Sequence, residues 1–139
     1  MAQKINLPKQ DPEKVSPLNL AFIGDSVYEV VIRNKVLNDF NGSLNEVNKM
    51  AKHYAMAQTQ SKIMHLIENE LSEKEIQIFK RGRNAKGVSA PKSCTISEYR
   101  EATGFESLIG YLYLKNNSDR VIELVYKGIE LLEADENVG

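Results

Sequence analysis

The chain has no tryptophan, a single cysteine and no surplus of either charge, and each shortage removes a class of function. With Cys94 alone there is no intramolecular disulfide and no cysteine cage for a metal, which suits a reducing compartment. Any metal this chain binds is expected to be hard and held by oxygen. With 18 basic against 19 acidic residues the net charge is −1, so the whole molecule does not attract nucleic acid or anionic lipid. A polyanionic partner would have to be held by a local patch. No charge-free apolar run approaches the roughly 20 residues that span a bilayer. The opening stretch MAQKINLPKQDPEK also lacks the apolar centre of a signal peptide, so the expectation is a cytoplasmic protein with no membrane partner.

What remains is one domain's worth of helix. At 139 residues the chain can bury about two thirds of its unfolded surface as a single unit. No stretch alternates with period two, and the fold class expected is all-α. Residues 1–15, with Pro8 and Pro12, read as an extended or poorly ordered lead-in. Ser16-Pro17 supplies an N-cap with proline at the first helical position, opening a helix over Leu18 to Leu37. Its apolar residues fall on more than one face (Leu20, Phe22, Ile23, Val27, Val30, Val31, Ile32), so it is expected to be the central helix, wrapped by the others.

Ser43 and Glu46, then Ser72 and Glu75, have capping-box spacing and open two further helices. The first is expected to break near Ala57-Gln58, and the second to run to about Arg83. Residues 82–91, with two glycines and a proline, read as a loop. A helix starting near Thr95 or Ser97 carries Tyr99, Ala102, Phe105, Leu108, Ile109 and Leu112 on one stripe. After a break at Asn116 to Ser118, a last amphipathic helix holds Val121, Leu124, Val125, Ile129 and Leu132.

Two carboxylates sit in the two most apolar helices. A buried charge without a partner costs several kcal/mol, so Asp25, beside Gly24, and Glu106 each ask for a reason. If the helices cross near Gly24 and Gly104 the two acids face one another, a self-repelling pair that suits a hexacoordinate Mg²⁺. The plainer alternative pairs each with a cation, Arg33 or Arg100. Glu29, one turn after Asp25, is either a third ligand or the ion-pair partner of Arg33, to which it is equally spaced. Lys80, Arg81, Arg83, Lys86 and Lys92 form a basic run with no acid among them, where Asn84 can add a hydrogen bond and the glycines let a phosphate approach. Alternatively the run is a solvated loop. His53 and His65 are too far apart in sequence for a one-face metal pair, Tyr111 and Tyr113 read as packing residues, and no nucleophile arrangement or phosphate-cradling glycine motif is present.

Taken together, LAFIGDSVYEVVIR, KRGRNAK and EYREATGFESLIGYLYL resemble, in this order and spacing, the ribonuclease III catalytic domain and more closely its Mini-ribonuclease III branch. The likeness extends over about Ser16 to Leu132. It implies a ribonuclease III-like helical bundle over 16–135, and no double-stranded-RNA-binding domain after it.

The resemblance also implies that Asp25 and Glu106 are the catalytic, Mg²⁺-binding carboxylates, and that the KRGRNAK residues Lys80, Arg81, Arg83, Asn84 and Lys86 meet RNA. Two further acids found in ribonuclease III proper are replaced here by Ala21 and Thr103, as the Mini branch itself shows. The implied activity is endonucleolytic hydrolysis of double-stranded RNA by a homodimer, leaving 5′-phosphate and 3′-hydroxyl ends. The implied substrate is the stem of precursor large-subunit (23S) ribosomal RNA, with a ribosomal protein as helper. The competing reading is a non-catalytic RNA-binding or ribosome-assembly module on the same fold.

Overall fold

The computed structural model describes residues 5–87 and 89–138. The first four residues of the lead-in, Val88 of the loop, and Gly139 lie outside them. Six α-helices follow one another: α1 Pro17–Asp39, α2 Leu44–Ala55, α3 Ala57–Ile67, α4 Glu73–Arg83, α5 Ile96–Leu114 and α6 Ser118–Val138. No strand occurs among the described residues. No helix among them is long and apolar enough to cross a membrane.

The helix starts are local chemistry. Ser16 Oγ accepts from the Asn19 amide at 3.3 Å, and Ser43, Ser72 and Thr95 each form a complete capping box with the glutamate three residues on. Each box satisfies amides that a helix start otherwise leaves without partners. The expected break between α2 and α3 falls at Met56, whose extended backbone ends one helix and opens the next. Helix α5 ends where Asn116 takes φ 62°, with the Asn117 amide reaching back to the Leu112 carbonyl at 2.9 Å. Asparagine tolerates that left-handed position better than most residues.

The wrapped helix is α5, not α1. Ala102 to Phe105 and Ser107 to Leu112 are all buried, with α1, α3 and α4 packed around them and α6 closing over α3. Helix α1 buries Leu20, Ala21, Gly24, Tyr28, Ile32 and Val36, but leaves Phe22, Val30 and Leu37 about seven-tenths or more exposed. Its all-round apolar character therefore does not mean it is enclosed within one chain.

Helices α1 and α5 touch backbone to backbone. A Cβ on Gly24 would lie 1.8 Å from the Glu106 carbonyl oxygen, and one on Gly110 would lie 2.0 Å from that of Leu20. Gly104, expected opposite Gly24, instead meets α4, where Gly82 packs on it and on Ser107. Gly82 is thus buried in the last turn of α4 rather than part of a loop. Tight packing on α5 outweighs its low helix propensity.

Two polar ties complete the frame. Glu75 is 8% exposed and takes a bidentate pair of bonds from Arg120 at 2.8 and 2.9 Å, which holds its carboxyl below the usual range. The lead-in is fastened rather than loose: Lys9 donates to Asn116 at 2.9 Å, and Glu13 accepts from the Tyr111 hydroxyl and from Lys74. Pro12 opens a single 3-10 turn over Pro12–Lys14, and side chains before and within it find partners on α4 and at the end of α5.

Candidate active site

The Gly24–Gly110 crossing sets Asp25, on α1, within hydrogen-bonding reach of Glu106, on α5. Asp25 is exposed, contrary to the buried position expected for it, whereas Glu106 is partly buried. Burial, and then the Asp25 carboxylate, push the Glu106 carboxyl up to about 8, and a hydrogen bond from Gln60 works in the opposite direction. Without a cation Glu106 therefore carries its proton at neutral pH and can donate it to Asp25. Arginine does not neutralise the pair: Arg33 binds Glu29 at 2.9 Å, and no ion pair among the described residues involves Asp25, Glu106 or Arg100. Glu29 is thereby accounted for by Arg33.

Gln60, on α3, is the residue the sequence reading missed. It is 2% exposed, and its Nε2 lies 3.5 Å from Glu106 Oε2. The signal was present: Gln60 is three and four residues before Ile63 and Met64, on the buried stripe of α3. Behind the pair, Tyr28 packs edge-on against Phe105 with ring centres 5.5 Å apart and donates to the Tyr54 carbonyl at 2.7 Å. Burial, followed by the nearby Glu106, raises the Tyr28 hydroxyl far above its ordinary value, so it stays neutral.

Among the described residues no cluster of three or more histidine, cysteine or acidic groups forms a ready-made metal cage. His65 pairs with Glu101, and His53 lies 3.6 Å from Glu136, so neither histidine is paired with Asp25 or Glu106. The donor set still fits a hard divalent cation: two carboxylates that repel one another when both are ionised, one of them bonded by the Gln60 amide, with Asp25 open to solvent for the water such ions retain.

The raised Glu106 value has a sign that can be measured. In EDTA the folded chain binds more protons than the unfolded chain between pH 4.5, the ordinary carboxylate value, and about 8. Its stability therefore falls as pH rises through that window. Denaturant midpoints are expected to decline from pH 5 to 8 by the equivalent of about 2–4 kcal/mol, at roughly 1.4 kcal/mol per unit of displaced pKa. A flat profile would remove the carboxylate repulsion from the account.

The basic run begins on the last turn of α4. Lys80, Arg81 and Lys86 are exposed, Arg83 lies over the Phe79 ring at 5.5 Å, and Asn84 caps the helix while accepting from Arg83 Nε at 3.2 Å. Gly82 rests on Gly104 and Ser107, and at roughly 100° per residue Gly104 lies on the far side of α5 from Glu106. After the run the chain is tied to α3, where Gln58 donates to the Ser93 carbonyl at 2.6 Å, beside Lys92.

Residues 18–117 match the Ribonuclease III domain family, a span that includes the acid pair and the whole basic run. The chain is 41% identical over 133 residues to the Mini-ribonuclease 3 of Clostridium tetani, covering 94% of this chain and 88% of that one. The chain belongs to the Mini-ribonuclease 3 family. The Symbiobacterium thermophilum Mini-ribonuclease 3 is 38% identical over 123 residues, covering 88% of this chain and 95% of its own. A crystal structure of a Fusobacterium nucleatum protein superposes with a TM-score of 0.78 at 36% identity, over 87% of this chain and 97% of the other. The ribonuclease III-like helical fold expected from the three motifs is therefore the one found, and Mini-ribonuclease 3 membership makes the chain an endoribonuclease.

Proposed function

We propose that this chain hydrolyses double-stranded RNA with Mg²⁺ held by Asp25 and Glu106. The observation that carries the reading is the meeting of these two acids at a glycine crossing with no arginine to neutralise them. Packing gains nothing from such an arrangement, and a divalent cation removes its repulsion. When bound, the cation activates water and stabilises charge on the departing 3′ oxygen. Asp25, exposed, faces the phosphate, and Glu106, anchored in the buried helix, fixes the second carboxylate against it. Water adds to phosphorus and the bond to the 3′ oxygen breaks, leaving a 5′-phosphate and a 3′-hydroxyl. The basic residues Lys80, Arg81, Arg83 and Lys86, with Asn84, hold the duplex through its phosphates and 2′-hydroxyls without reading sequence.

The catalytic unit is assigned to 16–135, working as a homodimer. The exposed Phe22, Val30 and Leu37 of α1 support the dimer, because they place bulky apolar side chains on one open face. Sedimentation at micromolar concentration reads the dimer as twice the 15.7 kDa chain mass. The stem of precursor 23S ribosomal RNA in the cytoplasm, presented with a ribosomal protein, is the substrate that the family resemblance favours.

The test is cleavage of an end-labelled RNA duplex. Cutting is expected with Mg²⁺, none with EDTA, and charge reversal at Arg83 or Lys86 should weaken duplex binding and flatten its salt dependence. Binding without Mg²⁺-dependent cutting would move the chain to the assembly-module reading.

A further inference from the structure

We propose that Gln60 is a positioning residue of the acid pair: its side-chain amide fixes the orientation of the Glu106 carboxylate so that Glu106 and Asp25 present oxygens to one cation. This rests on the reading of Asp25 and Glu106 as the metal-binding site. Three observations lead to it.

The first is the burial of the amide. Gln60 sits at 2% exposure beside Ile63 and Met64, and its only side-chain hydrogen bond among the described residues is to Glu106. An amide taken out of water costs free energy unless it is bonded, so an aliphatic side chain would suit this stripe better. Of the buried polar residues, Thr103 and Ser107 bond to backbone carbonyls, Ser61 to Glu101, and Glu75 to Arg120. Gln60 alone spends its side-chain bond on the acid pair.

The second is what surrounds Glu106. Gln60 is the side chain that donates a hydrogen bond to it, and Asp25 is the other side chain acting on its carboxyl. Ala21 and Thr103 are both buried, and the Thr103 hydroxyl donates to the Tyr99 carbonyl at 3.0 Å. Gln60 is the one neutral donor left to select a rotamer for Glu106.

The third is direction. Nε2 approaches Oε2 alone, so the other carboxylate oxygen is not taken by the amide. The 3.5 Å separation is long, and bonds of this kind shorten when the reacting complex forms. A partner that orients a metal-binding carboxylate typically changes metal affinity by about 10–100-fold when removed.

The experiment compares the native chain with Gln60→Leu, Gln60→Met and, as control, Asp25→Asn. Mn²⁺ binding is measured by electron paramagnetic resonance on RNA-free protein, and the Mg²⁺ midpoint of duplex cleavage is measured alongside. Asp25→Asn should abolish tight Mn²⁺ binding. Gln60→Leu should fold as well as the native chain, bind Mn²⁺ about tenfold more weakly, and need correspondingly more Mg²⁺, with cleavage recovering at saturating Mg²⁺. A merely structural amide would lower the rate at every Mg²⁺ concentration and leave Mn²⁺ binding alone. If Asp25→Asn loses Mn²⁺ while Gln60→Leu binds it as the native chain does, the Gln60 assignment falls and the acid pair stands. If Asp25→Asn also binds Mn²⁺ as the native chain does, the acid-pair reading falls with it. Unfolding of both Gln60 variants would make the amide a core fastening and overturn its positioning role.

Discussion

Asp25→Asn and Glu106→Gln are each expected to abolish duplex cleavage while leaving the fold intact, and Glu106→Gln is expected to make the cation-free protein more stable. A divalent cation supplies several kcal/mol of transition-state stabilisation, and losing about 4 kcal/mol of it costs a factor on the order of a thousand. The stability change runs the other way, because Glu106 is kept protonated by burial and by Asp25 while the unfolded chain would ionise it freely. Glutamine has the same shape and no proton to hold. At pH 7 the gain is on the order of 2 kcal/mol, and for a chain of this size that is about 4–8 °C in melting temperature. Functional sites commonly carry such a stability cost. Duplex cleavage and thermal melts in EDTA check both parts. A Glu106→Gln chain that melts below the native one would show the carboxylate to be a structural support, and retained cleavage would place the active site elsewhere.

The second large effect is at the helix crossing. Gly24→Ala adds a methyl group 1.8 Å from the Glu106 carbonyl oxygen and 2.8 Å from the Gly110 amide nitrogen. Both obstacles are backbone in a buried helix, so no side-chain rotation relieves the clash and α1 must move away from α5. Overpacking of this kind costs about 3 kcal/mol or more. That is a large fraction of a stability of about 5–15 kcal/mol. The same displacement separates Asp25 from Glu106, and a shift of about 1 Å at a reacting centre can cost on the order of a hundredfold in rate. Gly87→Ala is the matched control. Gly87 has φ +92° but nothing within 4 Å of an added Cβ, so its substitution strains one residue by about 1–2 kcal/mol. Denaturant midpoints should rank Gly24→Ala far below Gly87→Ala. Near-equal values would mean the crossing is looser than its distances indicate.

These expectations also separate what was readable along the chain from what was not. Caps at Ser16, Ser43, Ser72 and Thr95 involve groups three residues apart, so the chain carries them whatever else it packs against. The all-α class, the break near Met56 and the acids beside small residues are of the same local kind. Likewise, Glu29 and Arg33 are a turn apart, and their ion pair is among the alternatives the spacing allows.

Which helix is enclosed is another matter. Helices α1 and α5 are both apolar on several faces. Only the assembled bundle puts α1, α3, α4 and α6 around α5 and leaves Phe22, Val30 and Leu37 of α1 open. The same holds for Gly82, which reads as a loop residue until Gly104 and Ser107 are packed against it. It holds most for Gln60, a polar residue on an apolar stripe whose partner lies 46 positions away. The helices, their caps and the presence of two costly acids are legible along the chain, because those depend on neighbours within a turn. That Asp25, Glu106 and Gln60 share one place follows only from packing: α1 meets α5 where Gly24 and Gly110 let the backbones touch, and α3 lays Gln60 against Glu106 from 46 positions away.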